Sequence, residues 1–364
     1  MMDGHPPSAR RSIKSILNDT SRFWMKFLTG AAYLVGFFIL LHGSTGYSSC
    51  LIEDQQIRSG PIPIVNQSPI QLLFLQPIPD RARVLPRGRK AIALNTAITN
   101  TLLSESSGRY SGTVDMEMIR TTFDFRVGIH PRLELGISLP FVYSYSGIMD
   151  HAILDVEDFF TDPREIRENE EPNRYEYHVE KDNKPFIGRK RRSSGVGDLV
   201  FRIKGNIWEE NNYLPCLSVR LELKVPTGDE DRALGSGEPD SGFGLLLEKE
   251  IKGLTAYLNA DVIFPGDAYD TESVTFKEFH IIMLGAEYKF TPQFSAIAQM
   301  RYTTRPFDGT GLKMLQRRIY DLLLGVNYCT KGGVFIQGGG IEDFHDSCDA
   351  GSDVTFFLDI GRYF

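Results

Sequence analysis

Short segments in which apolar and polar residues strictly take turns constrain this chain more than any other feature. In LSVRLELKV, 217–225, Leu217, Val219, Leu221, Leu223 and Val225 share one face, and Ser218, Arg220, Glu222 and Lys224 the other. DLVFRIKGNI repeats the scheme, with Leu199, Phe201 and Ile203 opposed to Asp198, Arg202 and Lys204. In LTAYLNADVIF, Leu254, Ala256, Leu258, Ala260, Val262 and Phe264 oppose Tyr257, Asn259 and Asp261. Successive side chains of a strand point to opposite sides of a sheet, so each segment carries one oily face and one charged face. About a dozen such segments, each roughly 10–14 residues long, run from residue 89 to the end.

A soluble sandwich would alternate as well, but two features separate the readings. Tight joints at HP (130–131), EENN (209–212), KG (252–253), TP (291–292) and CTKGG (329–333) take turns with long connections near 103–112, 146–195, 227–240, 265–276, 305–316 and 342–352. Short turns at one rim and long loops at the other are the habit of outer-membrane barrels. The polar faces are also too charged for a protein core. Arg120, Asp124, Arg126, Glu134, Asp198, Arg202, Lys204, Arg220, Glu222, Lys224, Glu248, Asp261, Glu287, Arg301, Asp321 and Asp359 all sit opposite apolar neighbours. Burying them against a second sheet would cost several kcal/mol per ion. A closed cylinder resolves the conflict: lipid covers the outside, a wet lumen solvates and pairs the charges, and no edge stays unpaired. The expected fold is all-β, a transmembrane antiparallel up-and-down barrel of about 12 strands (range 10–14) with both termini in the periplasm.

The C-terminus agrees. The last strand, 353–364, must close on the first, near 89–102, and Phe364 then lies at the membrane interface, where rings sit well. A terminal strand ending in Phe also resembles the signal by which the barrel-assembly machinery recognises its clients; Arg362 departs from that pattern where an aromatic is usual.

Before the strands, FLTGAAYLVGFFILL (27–41) follows MK and leads into small residues, the layout of a secretory signal over 1–49 with translation starting at Met25. The alternative is a single anchor helix, for which the run falls short of the roughly 20 residues required. Cys50 is a candidate acylated cysteine, although Tyr47 stands where such signals carry Leu. Cys216, Cys329 and Cys348 form no CxxC pair or zinc spacing, so neither metal, cofactor nor disulfide is implied. The Pro-rich stretch 50–88 breaks ladders and is read as a periplasmic segment or a lumen plug, with PIQLLFLQ as a possible extra strand. A net charge of −7 points away from a nucleic-acid partner.

GVGDLVFRIKGN (195–206) and PCLSVRLELKVPTGDEDRALGSGEPDSGFGLLLEKE (215–250) resemble the core of the MetA-pathway phenol-degradation family of outer-membrane proteins. With NQSPIQLLFLQP (66–77) and GIMDHAILDVEDFF (147–160) added, the chain is similar to the bacterial family called domain of unknown function 3187. The first resemblance implies passage of small hydrophobic or aromatic compounds; the second implies the fold alone.

Four local features bear on function. Met149, Ile153, Val156 and Phe160 share helical spacing in the longest loop, 146–195, and read either as a lid or as a helix resting on the rim. GRKRRSS (188–194) offers cations to lipopolysaccharide phosphates or to solvent. TGDEDRALGSGEPD (227–240) lacks the ligand order of a calcium loop. A lipid-modifying enzyme would need a His beside a nucleophile at the outer face; His280 faces lipid by alternation, and His345 has Asp346 and Ser347 only as sequence neighbours. The acids and bases of the interior nearly balance, which argues against a wide porin. Two readings remain: a narrow channel for small hydrophobic solutes, or a closed structural or surface barrel in the outer membrane. Membrane lipid, and possible contact with lipopolysaccharide, are the expected partners.

Overall fold

The structure, a computed structural model, describes residues 60–146, 175–188, 193–266, 275–343, 351–352 and 354–364. The signal segment, Cys50, the loop helix with Met149, Ile153, Val156 and Phe160, the cations 189–192, His345 and Cys348 lie outside these residues.

Twelve strands form the wall: β1 (Lys90–Ser107), β2 (Tyr110–His130), β3 (Leu133–Tyr145), β4 (Leu199–Trp208), β5 (Cys216–Val225), β6 (Asp240–Ile251), β7 (Leu254–Phe264), β8 (Phe279–Lys289), β9 (Phe294–Thr303), β10 (Ile319–Cys329), β11 (Val334–Asp343) and β12 (Val354–Tyr363). Each pairs antiparallel with its chain neighbours, and β12 closes on β1 in the register Ala91↔Tyr363 through Asn100↔Val354. The sheet therefore has no open seam. Successive strands meet at a common inner rim through short joints, among them a two-residue Lys252–Gly253 turn in which both residues are left-handed, with φ of 49° and 83°. That geometry matches the twist of the strands it joins, and glycine reaches it without strain.

The alternation of the sequence becomes two surfaces. Leu94, Leu221, Leu324 and Phe356 on the outside are 50–55% exposed, and apolar neighbours surround them on every strand. An apolar surface of that extent around a whole cylinder needs a cover other than water. At the inner rim Trp208, Tyr288, Phe290, Phe294, Tyr328 and Phe364 stand exposed, forming an aromatic band suited to a membrane interface. No helix among the described residues is long and apolar enough to cross a membrane; the strands do the crossing.

One connection departs from the sequence reading. The stretch 103–112, expected as a long loop, is a continuation of β1 and β2 around a two-residue turn, with pairing up to Ser107↔Tyr110. SESSGRYSG reads as loop because it is small and polar, yet its backbone keeps laddering above the outer rim, where no lipid demands an oily face. A second hairpin, Glu176–Lys181 with Lys184–Gly188, extends this sheet by pairing with β2. PIQLLFLQ forms no strand: Gln71–Leu73 is a single 3-10 turn.

Candidate functional site

The lumen is filled by the chain that precedes β1. Residues 60–85 rise along one wall, turn beneath the outer mouth and descend along the opposite wall, forming an arch with both feet at the inner rim. On the rising limb the Gly60 carbonyl accepts from Gln337 at 3.2 Å, the Ile62 backbone bonds Gln299, and Arg301 donates to the Ile64 carbonyl at 2.8 Å. Near the top, Asn66 donates to Asp321 at 2.9 Å, and Tyr177 of the outer hairpin donates to the Pro69 carbonyl at 3.2 Å. On the falling limb Lys224 donates to the Leu73 carbonyl, the Leu75 amide to Asp240, Arg220 to the Ile78 carbonyl and the Leu85 amide to Glu134, at 2.8, 2.7, 2.5 and 2.7 Å. A Pro-rich chain cannot satisfy its peptide groups in a ladder, and a buried peptide group left unpaired is costly. The wall charges supply the missing partners.

The same charges pair with one another and with the plug. Lys204 sits 2.7 Å from Asp80 and 3.2 Å from Glu134; Arg126 contacts Asp80 at 3.2 Å and Asp124 at 3.1 Å. Arg202 reaches Glu222 at 2.7 Å, Arg220 reaches Asp261 at 2.7 Å and Arg301 reaches Asp321 at 2.6 Å. Lys224 lies 3.1 Å from Asp198 and 3.0 Å from Asp240. Arg81 and Arg83 of the plug share Glu248, at 2.5 and 3.0 Å. Glu287 accepts from Tyr257 at 2.6 Å and from Asn327 at 3.0 Å. The lumen whose charges the sequence expects to pair is thus, in the described residues, a network in which wall and plug groups are one another's partners. Opposed bidentate pairs such as Arg220–Asp261 recover much of the desolvation cost that isolated ions would carry. Gly244 makes room for that pair, because a Cβ there would meet an Asp261 oxygen at 2.0 Å. Gly128 plays the same part at the exit of the plug, where a Cβ would meet the Leu85 carbonyl at 2.2 Å.

Two of the sixteen wall residues behave differently. Asp359 is 1% exposed with neither carboxylate oxygen hydrogen-bonded, and it lines a cavity of about 40 Å³ near the inner rim with Asn95, Arg126 and Gly60. Arg120 lines a second cavity, of about 60 Å³, near the outer mouth, together with Leu72, Phe74, Met116, Met118 and Val142. The two cavities share no lining residue.

Above the second cavity the seal is apolar. Ile70, Leu73, Phe74 and Leu75 of the plug bury against Leu103, Val114 and Met116 of the extended hairpin, Tyr177, Val179 and Ile187 of the outer hairpin, and Leu312, Met314 and Leu315 around the single helical turn α1 (Lys313–Gln316). Phe74 stacks edge-on to Phe307 at 5.5 Å between ring centroids. Sequence reasoning had no means of finding this cluster, because its members come from four separate stretches. The plug's own charges, Asp80, Arg81 and Arg83, carried a readable signal: PDRAR is an ionic run inside an otherwise oily, Pro-rich segment, and such a run needs partners.

The arrangement makes a barrel with its lumen filled by the preceding chain, and comparison with known proteins agrees with the barrel fold. Residues 48–361 match the family described as Protein of unknown function (DUF3187), and the chain belongs to it. Nothing among curated proteins matches the chain. Among solved structures, the COG4313 outer membrane channel from Pseudomonas putida F1 aligns with a TM-score of 0.53 at 16% identity, covering 78% of this chain and 98% of that one. The Ralstonia pickettii toluene transporter TbuX aligns at a TM-score of 0.38 and 10% identity, covering 77% and 90%. At these identities the likeness is one of fold.

Proposed function

We propose that the protein is an outer-membrane channel of narrow bore for small hydrophobic or aromatic compounds, described here in its plugged state. The observation that carries this reading is the cavity beneath the outer mouth, walled by Leu72, Phe74, Met116, Met118 and Val142 and covered by an apolar cluster. A site that admits oily solutes is concave and largely apolar. The structural neighbour that is an outer membrane channel supports the same class. Relation to the MetA-pathway phenol-degradation family, export by the N-terminal signal, insertion by the barrel-assembly machinery and contact with lipopolysaccharide belong to this proposal. The reading is non-enzymatic.

The wall bonds along both limbs of the plug favour a second reading, a permanently closed structural barrel. Vesicles containing the intact chain separate the two. A disulfide between Leu75→Cys and Gly242→Cys ties the plug to β6, where the native side chain of Leu75 already lies 3.0 Å from a Cβ built on Gly242. Uptake of benzyl alcohol that stops in the locked variant and returns on reduction is the expected outcome for a channel. Absence of uptake in every form gives the closed barrel.

A further inference from the structure

Among the inward bases of the wall strands, Arg120 is the exception. The other basic side chains turned inward from the wall strands, Arg126, Arg202, Lys204, Arg220, Lys224 and Arg301, each have a carboxylate between 2.6 and 3.1 Å. The Arg120 guanidinium has none among the described residues, although it sits in β2 one turn of the alternation from Met118 and faces the outer cavity. The acid on that cavity's wall, Asp198, is already held by Lys224 at 3.1 Å. Among the described residues one half-buried cation therefore lacks a carboxylate, beside the apolar side chains of Leu72, Met116, Met118 and Val142. Holding a half-buried charge without a partner carries a cost, and a purely hydrocarbon cargo would give no return for it.

We infer that the outer cavity is a binding site for small amphipathic monoanions, an arylcarboxylate or short-chain carboxylate, whose charged end is held by Arg120 and whose apolar body lies against Leu72, Met116, Met118 and Val142. The inference rests on the channel reading and narrows its substrate class. The planar fork of a guanidinium fits a carboxylate through two parallel hydrogen bonds. Lys224 and Arg232 line the same cavity, but Lys224 is held by Asp198 and Asp240 and Arg232 lies 3.5 Å from Asp229, so Arg120 is the base left to meet a single negative charge. The cavity of about 60 Å³ takes the carboxylate head as it stands. A ring of benzene size, which fills roughly 150 Å³, needs the walls to give. Met116 and Met118 are the side chains best able to do so, being unbranched and readily repacked.

The test uses the full chain in detergent micelles, with benzoate and its neutral counterpart benzyl alcohol as probes, binding being read by saturation-transfer NMR and flux separately in vesicles. Benzoate is expected to bind at least about tenfold more tightly than benzyl alcohol. Arg120→Gln and the apolar isostere Arg120→Met are expected to remove that advantage, read as the ratio of benzoate to benzyl alcohol affinity, and Arg120→Lys to restore part of it. Heat-modifiable gel mobility confirms that each variant is a folded barrel. Equal benzoate binding in the native and Arg120→Gln proteins, or no benzoate binding at all, overturns the inference. Benzyl alcohol uptake without benzoate binding would sink the inference and spare the channel; benzoate binding without flux of either probe would do the reverse.

Discussion

The two ends of the plug are held by opposite kinds of force. Toward the inner rim, Asp80, Arg81 and Arg83 are fixed by Lys204, Arg126 and Glu248, groups that demand particular distances and angles. Toward the mouth the side chains of Ile70, Leu73 and Phe74 lie in an oily cluster with no such demands, and the directional bonds there, such as Lys224 to the Leu73 carbonyl, go to the backbone. Ion pairs and hydrogen bonds define where a segment sits; apolar contact is non-directional and scales with area. The inner half therefore sets the register of the plug, and the outer half can yield to a solute that offers apolar surface in exchange. An opening that begins at the mouth and pivots on the ionic foot follows from this difference.

The comparison is open to attack through single residues. Glu248→Ala takes the carboxylate from the buried Arg81, while Arg83 keeps Glu210 at 2.7 Å, so the loss is expected to reach about 3 kcal/mol. Urea midpoints of the folded barrel, followed by gel mobility, read it directly. Phe74→Ala opens a hole in the outer cluster and should cost about 3 kcal/mol, with a larger rise in leak through vesicles than Glu248→Ala gives. If the ionic variant leaks more, the assignment of register to one end and yielding to the other is reversed. The smallest effect lies outside the membrane, at the tip of the outer hairpins. There Arg109 donates to Asp182 at 2.7 Å, and that hydrogen bond holds the Asp182 carboxyl below its ordinary range. A carboxyl whose folded value is lowered stabilises the fold above its unfolded value, near 3.9, and loses that contribution as pH falls through the lower folded value. Amide exchange of residues 181–184 should therefore accelerate only in acid, and Asp182→Asn should flatten that dependence.

Much of the barrel could be read from the chain because its physics is periodic. Leu217 to Val225 has to place alternate residues in two solvents, and no other architecture does so without exposing an edge. The closure of β12 on β1 followed from the even strand count. The path of residues 60–85 was not legible, since a Pro-rich segment has no period and its partners lie up to 277 positions away, as in Gly60 and Gln337. The extended β1–β2 hairpin was hidden for a related reason: above the rim both faces meet water or protein, so the alternation fades while the backbone pairing persists. Arg120 was named among the inward charges, but its isolation is visible only when the partners of the other bases are known.

The feet of the arch have a topological consequence. Gly60 and Leu85 both stand at the inner rim, so residues 60–85 enter and leave the ring through the same opening and do not pass right through it. Whatever lies upstream, however bulky, need not be pulled through a pore for the stopper to be seated or withdrawn; it can slide out on one side as a doubled strand, like a bight of rope drawn from a shackle.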